Sequence, residues 1–313
     1  MFNDRLDSLS NRANDILLMG EILLDETTNQ QGGHFMTFGG SPANITVNLK
    51  QLGFKANLCA AIGDDPIGDF LLKTLHEHKV STTLIHRFVG PTTKVLLQQT
   101  TLSPTPVFHR YSDHYIIYNE ALEERIRTSK VLHFSYWPLS KEPALSSTLK
   151  AIDYAKRHNL IISFDPNIHD EIRTKSSISK TNLLKLLNDV DIIKPSLDDS
   201  ARLFGVGLTK EAYMQKYEDI GIPLILMTLG SDGVYVSYKK QRFSMPTKAV
   251  DVLDSTGAGD AFWSGFYGGL FKRLSLELSV MTAQLTSSIT LKHVGAIAPL
   301  PNIDKLIEEV KMR

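Results

Sequence analysis

Short runs of consecutive apolar residues alternate along this chain with segments of helical period, and this restricts the fold more than any other feature. Ile16–Met19 closes on Gly20, and Asn57–Gly63, Val131–Tyr136, Leu160–Phe164, Val190–Lys194 and Pro223–Leu229 follow. Runs this short, without polar alternation, are expected of strands buried on both faces. Between them, Pro66–Val80 places Ile67, Phe70, Leu71 and Leu75 on one helical face, and Leu145–Asn159 does the same with Leu145, Leu149 and Ile152. The alternation predicts an α/β fold, a mostly parallel sheet covered by helices on both faces, because parallel neighbours must be joined by crossovers. The 313 residues suit one large unit or two unequal ones, with the fold starting near residue 16 after a polar lead.

Two segments break the pattern. Residues of about 21–38 and 84–118 are rich in Thr, Val, Phe, Tyr and His, carry turn signals at Gly90-Pro91 and Ser103-Pro104, and hold no helical period. They are expected to form a small sheet over one edge of the main layer, inserted in a single domain spanning 16–313. Hydrophobic residues at 42%, with 34 Lys and Arg balanced by 34 Asp and Glu, exclude wholesale disorder and leave no electrostatic case for nucleic acid or an anionic membrane. The single cysteine, Cys59, excludes an internal disulfide framework and fits a reducing cytoplasm. The polar start lacks a signal core, and no apolar run approaches the ~20 residues that span a bilayer. His34, His109, His133 and His293 stand alone, and His76 and His78 are two apart on a predicted helix, so no metal pattern emerges. The expected partner is a small molecule.

Chemistry is concentrated at two turns. Asp254-Ser255-Thr256-Gly257-Ala258-Gly259-Asp260 is a glycine-rich turn feeding a helix. Converging backbone N–H groups and the positive helix end suit a phosphoryl group in transfer, and Asp260 at the edge is placed to accept a proton from an attacking hydroxyl. A capped turn without a ligand has the same local signature. The second turn is Gly39-Gly40-Ser41-Pro42-Ala43-Asn44. Here Ser41 is read as the N-cap and Pro42 as the first helical residue. Capping leaves Gly39 and Gly40 to be explained by close backbone approach, and Asn44 by a polyol hydroxyl.

Together these motifs resemble the ribokinase-like, or PfkB-type, carbohydrate kinases, whose pattern is Gly-Gly-x-x-x-Asn, then Gly-x-Asp-x-x-Gly (here Gly63 to Gly68), and a late Asp-(Thr/Ser)-x-Gly-Ala-Gly-Asp. The resemblance spans about 16 to 300 and is most like fructokinases, through the Gly20 to Asp25 opening and the Phe108-His109-Arg110 segment. It implies a three-layer α/β/α sandwich with a β-sheet lid, and transfer of the γ-phosphoryl group of ATP, with magnesium, to a hydroxyl of a neutral sugar such as fructose. By the same resemblance Asp260 is the catalytic base and the amides of Gly257, Ala258 and Gly259 the anion hole. Asp25, Gly39, Gly40, Asn44, Arg110 and Asp165 are on the sugar side. Lys194, Ser196, Thr228, Gly230, Gly233, Ala283 and Ser287 are on the nucleotide side, Asp199 supports magnesium through water, and Asp254, Thr256 and Gly295 hold potassium. A homodimer through the lid is part of this picture.

Some positions depart from the pattern. His169 stands where arginine is usual, with Arg173 nearby, and Ser196 and Asp199 replace Asn and Glu. The loss of the arginine disfavours a carboxylate-bearing substrate. The segment Thr228 to Gly233 resembles the family's phosphate-holding turn, the reading the other motifs favour, although a hairpin before Val234–Tyr238 would look the same locally. Alternatives within the family are 2-keto-3-deoxygluconate kinase and ribokinase. From another class, a sensing protein could keep the fold without turnover, though it would have no use for Asp260.

Overall fold

The computed structural model describes residues 2–28, 33–98, 106–247 and 251–312. Its contacts divide it into two units that interleave in sequence, Gly20–Ile117 with Ala249–Arg313, and Phe2–Met19 with Tyr118–Lys248. The second unit carries a sheet of Gln241–Met245, Val234–Tyr238, Leu224–Thr228, Ile192–Ile193, Ile161–Asp165, Ser129–Ser135 and Asn14–Met19, in that order. From Leu224–Thr228 onward the strands are parallel, and the hairpin strands before it are antiparallel. Ile16–Met19 and Ile161–Phe164 are buried, as their uninterrupted apolar runs require. Helices Glu120–Arg127, Ala144–Arg157, Lys180–Leu186, Leu197–Phe204 and Lys210–Ile220 connect the strands.

The fold begins earlier than expected in this unit. Asn3–Ser8 is a short helix whose Leu6 is buried, Arg5 pairs with Asp191, and Arg12 donates to the carbonyls of Ser129 at 2.8 Å and His158 at 2.6 Å. One apolar residue in two turns gives no period, so the polar lead conceals it.

In the other unit, Ala56–Gly63 is wholly buried and pairs in parallel with Ile85–Phe88. This corrects the lid boundary, since Ile85–Phe88 lies inside the span 84–118. The small sheet itself is His34–Gly39, Leu23–Thr28, Lys94–Gln98 and Val107–His109 in that order, and the turn at Ser103-Pro104 lies outside the described residues. Asp65 caps helix Pro66–Glu77 through Gly68 N–H, and its carboxylate also accepts from Thr92 N–H at 2.8 Å and Thr92 Oγ1 at 2.6 Å. The Gly63 to Gly68 turn is therefore bolted to the loop entering the small sheet. Helix Ala258–Phe271 packs on Ser41–Gln51 and on Leu276–Thr290. Its Gly265 and Gly269 permit the second contact, because a Cβ at either would come within 2.8 Å of Leu276–Thr290 atoms.

Candidate active site

At the start of helix Ser41–Gln51 the structure corrects the expected cap. Gly40, at φ 101°, is the N-cap, and Ser41 is the first helical residue. Only glycine fits here, because a Cβ would lie 2.5 Å from Glu21 O. The Ser41 N–H is held instead by Glu21 Oε1 at 3.1 Å, from a carboxylate side chain that is itself buried. Freed from capping, the Ser41 hydroxyl donates to Asp260 Oδ1 at 2.6 Å, and Asn44 Nδ2 donates to Asp260 Oδ2 at 2.9 Å. Asn44 is 4% exposed, and its Oδ1 has no hydrogen-bond partner among the described residues. A buried acceptor left open in this way suits a hydroxyl donor from outside the chain.

The turn before Asp260 is built to present backbone. Asp254 accepts from Thr256 N–H at 2.9 Å, Thr256 Oγ1 at 2.7 Å and Gly295 N–H at 2.8 Å, drawing two loops together. Burial raises its pKa, but these bonds outweigh it and hold the carboxyl below its ordinary value. Gly257, at φ 74°, is the N-cap of Ala258–Phe271, and a Cβ there would lie 2.5 Å from Ala296 Cα. The first bond of the helical ladder is Ala261 N–H to Gly257 O. Of the preceding amides, that of Ala258 donates to Ser255 O at 3.3 Å, and those of Gly259 and Asp260 stand at the positive helix end, where anions are favoured.

Asp25 closes the set. It pairs with Thr37 across the small sheet, and its Oδ2 would lie 2.2 Å from a Cβ at Gly39, so only glycine leaves the carboxylate in place. Burial, then the charges of Asp260 and Asp254, push its carboxyl up to about 7. Strand alternation puts Thr27, Thr37 and Val95 on the face of Asp25, and Lys94 and His109 on the opposite face. There Lys94 pairs with Glu26 at 3.0 Å. Arg110 is no loose lid cation, because Asp113, 1% exposed, accepts from its Nε at 2.9 Å and takes Thr93 Oγ1 at 2.7 Å. Ala283 is wholly buried against Gly265, whereas Ser287 is half-buried.

The other predicted residues belong to the second unit, at the carboxyl ends of its parallel strands, where open α/β sheets bind ligands. Asp165 ends Ile161–Asp165, Lys194 follows Ile192–Ile193, and their side chains form a buried pair at 3.4 Å. Burial, then Lys194, pushes His133 down to about 3. Thr228 to Gly233 does form a hairpin. Gly233, at φ 93°, lets the strands meet, since a Cβ would lie 2.1 Å from Met245 O, while Gly230 has open space around it. His169 is held neutral, its pKa lowered chiefly by burial, and Arg173 pairs with Asp170 on the surface.

Both oxygens of the Asp199 carboxylate already accept hydrogen bonds from the protein, so they are not arranged to bind a magnesium ion directly. Oδ1 accepts from Ile168 N–H at 2.7 Å, and Oδ2 from Ser196 N–H at 2.9 Å and Ser196 Oγ at 2.6 Å, which completes a capping box. Among the described residues no group of three or more His, Cys, Asp or Glu is arranged to hold a metal. None of their helices is long and apolar enough to cross a membrane.

The glycine-rich turn, the Asp260 carboxylate and the half-buried Asp25 carboxylate thus belong to one unit. Residues 8–303 match the model of the pfkB family carbohydrate kinases. The chain belongs to that family. It is 39% identical over 311 residues, 97% of this chain and 96% of the other, to an ATP-dependent 6-phosphofructokinase of Thermoanaerobacterium thermosaccharolyticum. It is similar in structure to Halothermothrix orenii fructokinase, with TM-score 0.78 and 31% identity, covering 88% of this chain and 98% of that one. It is also similar to a double-mutant fructokinase of Vibrio cholerae O395 bound to fructose, ADP and potassium ion, with TM-score 0.83 and 26% identity, covering 95% of this chain and 98% of that one. This PfkB protein has the ribokinase-like α/β fold and is a carbohydrate kinase, a family of enzymes, which favours turnover over the sensing role. Two polar residues of the site are not legible in the sequence. Local signals assign Ser41 to capping and Glu21 to the opening strand, where nothing marks it as reaching the next helix.

Proposed function

We propose that this kinase phosphorylates a hydroxyl of a neutral ketose, fructose first, with Asp260 as the general base. The observation that carries the proposal is the Asp260 carboxylate fixed by Ser41 and Asn44 beside the amide-rich helix start. The acceptor hydroxyl attacks the γ-phosphorus of ATP while its proton passes to Asp260. The bond from the γ-phosphorus to the bridging oxygen breaks, and ADP leaves. Charge developing on the transferred group is met by the amides around Gly257, Ala258 and Gly259, already oriented before the reaction. Asp25, the bare backbone at Gly39 and Gly40, and Asn44 Oδ1 hold sugar hydroxyls.

On the nucleotide side, Lys194, Ser196, Thr228, Gly230, Gly233 and Ser287 are assigned to ATP, and Asp165 to the sugar side. Magnesium enters with the nucleotide as part of the substrate. Asp254, Thr256 and the backbone at Gly295 offer hard oxygen ligands that would hold a potassium ion, whose charge supports the anion site. One kinase domain in the cytoplasm, pairing through the small sheet, completes the reading. Phe35, half exposed on the outermost strand of that sheet, supports such pairing.

A second reading, phosphorylation of fructose 6-phosphate, is favoured by the 39% identity to the 6-phosphofructokinase. A phosphorylated sugar calls for a fixed cation on the face of Asp25. Lys94 is turned from that face, and Arg110 is neutralised by Asp113, so the unphosphorylated sugar is preferred. Release of ADP from fructose, fructose 6-phosphate, ribose and 2-keto-3-deoxygluconate tests this. Fructose should give the highest kcat/KM, and a clear preference for fructose 6-phosphate would replace the first reading by the second. Asp260→Asn should lower kcat ~10²–10⁴-fold with ATP binding retained, and turnover within a few-fold of the parent would remove Asp260 from its role.

A further inference from the structure

The first turn of helix Ser41–Gln51 contains a hydroxyl that the helix does not need. Gly40 caps the helix and Glu21 Oε1 takes the Ser41 N–H, so an alanine would satisfy the backbone at position 41 equally well. Yet Ser41 is 6% exposed, and a buried hydroxyl is unfavourable unless it is bonded. The hydroxyl is bonded to Asp260 Oδ1, 219 residues away along the chain. Asn44, one turn further along the same helix, reaches the other oxygen.

The geometry points to Ser41 as a positioning residue for the phosphoryl transfer, one that acts through Asp260 and not on the sugar. Two donors on different oxygens fix the plane of a carboxylate, whereas one donor leaves it free to rotate about that contact. A carboxylate oxygen can accept more than one hydrogen bond, so a donor from Ser41 does not of itself bar the acceptor hydroxyl. Glu21 and Gly40 contribute by fixing the backbone from which Ser41 projects. The inference rests on Asp260 being the base.

The test is a double-mutant cycle of Ser41→Ala and Asp260→Asn, with kcat and both KM values measured for sugar and ATP. Alanine keeps the Cβ, the helix and the N–H to Glu21, so the folded protein should be obtained. Loss of a bond to a charged group should lower kcat about tenfold with both KM values within about twofold. In the Asp260→Asn background the same change should cost less than about twofold, because the group that Ser41 orients no longer acts. The inference fails if Ser41→Ala leaves kcat where it was, if it raises only the sugar KM, or if its loss persists undiminished in the Asp260→Asn background. Full turnover in Asp260→Asn alone would sink the base assignment and this inference together, whereas a large loss there with no effect of Ser41→Ala overturns the inference alone.

Discussion

Replacing Asp25 by asparagine should stabilise the protein in a pH-dependent way while damaging its function. The carboxyl is half-buried in the folded protein, where its desolvation and then the charges of Asp260 and Asp254 push it up to about 7, against an ordinary value of 3.8. Below pH 3.8 both folded and unfolded chains hold the proton, and the group contributes no difference. As pH rises toward 7 the unfolded chain gives up its proton first, so stability falls, and above 7 the loss is complete. Each pH unit is worth about 1.4 kcal/mol, so the roughly two units between about pH 5 and about pH 7 amount to about 3 kcal/mol. Asparagine has no such titration. The stability of Asp25→Asn relative to the parent should therefore rise by about 3 kcal/mol from about pH 5 to about pH 8, or about 1 M in urea midpoint at ordinary m-values. Urea unfolding followed by the fluorescence of buried Trp137 and Trp263 reads this directly. Parallel pH dependence in the two proteins would refute the assignment of a proton-holding Asp25. In kinetics, the parent's kcat/KM for sugar should increase as pH rises through about 7, and Asp25→Asn should lose sugar affinity without a matching change for ATP.

Gly257→Ala should lower turnover more than about tenfold, because φ 74° and the 2.5 Å approach to Ala296 Cα displace the amides that follow; kinetics matching the parent would show the turn to be tolerant. Asp65→Ala should lower stability by about 2 kcal/mol in urea unfolding, from three lost hydrogen bonds, with kcat of the folded enzyme retained. Burial raises the Asp65 pKa, but the bonds from Thr92 and Gly68 more than reverse this, so its contribution should be present above its ordinary value and disappear as pH falls below it. Potassium should raise both kinase activity and thermal stability relative to tetramethylammonium at equal ionic strength, and Asp254→Ala should abolish both effects.

The alternation of buried strands and amphipathic helices was legible because a period is a local property, and Ile16–Met19, Asn57–Gly63 and Leu160–Phe164 all became strands within a residue or two. The two glycine-rich turns were legible for a similar reason. Positive φ at Gly40 and Gly257 leaves almost no other residue choice. Pairing over long separations was not legible. Only the tertiary structure sends Ile85–Phe88 to Ala56–Gly63, joins Asn14–Met19 to Ser129–Ser135, and neutralises Arg110 with Asp113. The same holds for Ser41, whose sequence neighbours make it a good N-cap. Its hydroxyl is assigned by Asp260, which the chain brings back 219 residues later, and no local propensity records a partner that distant.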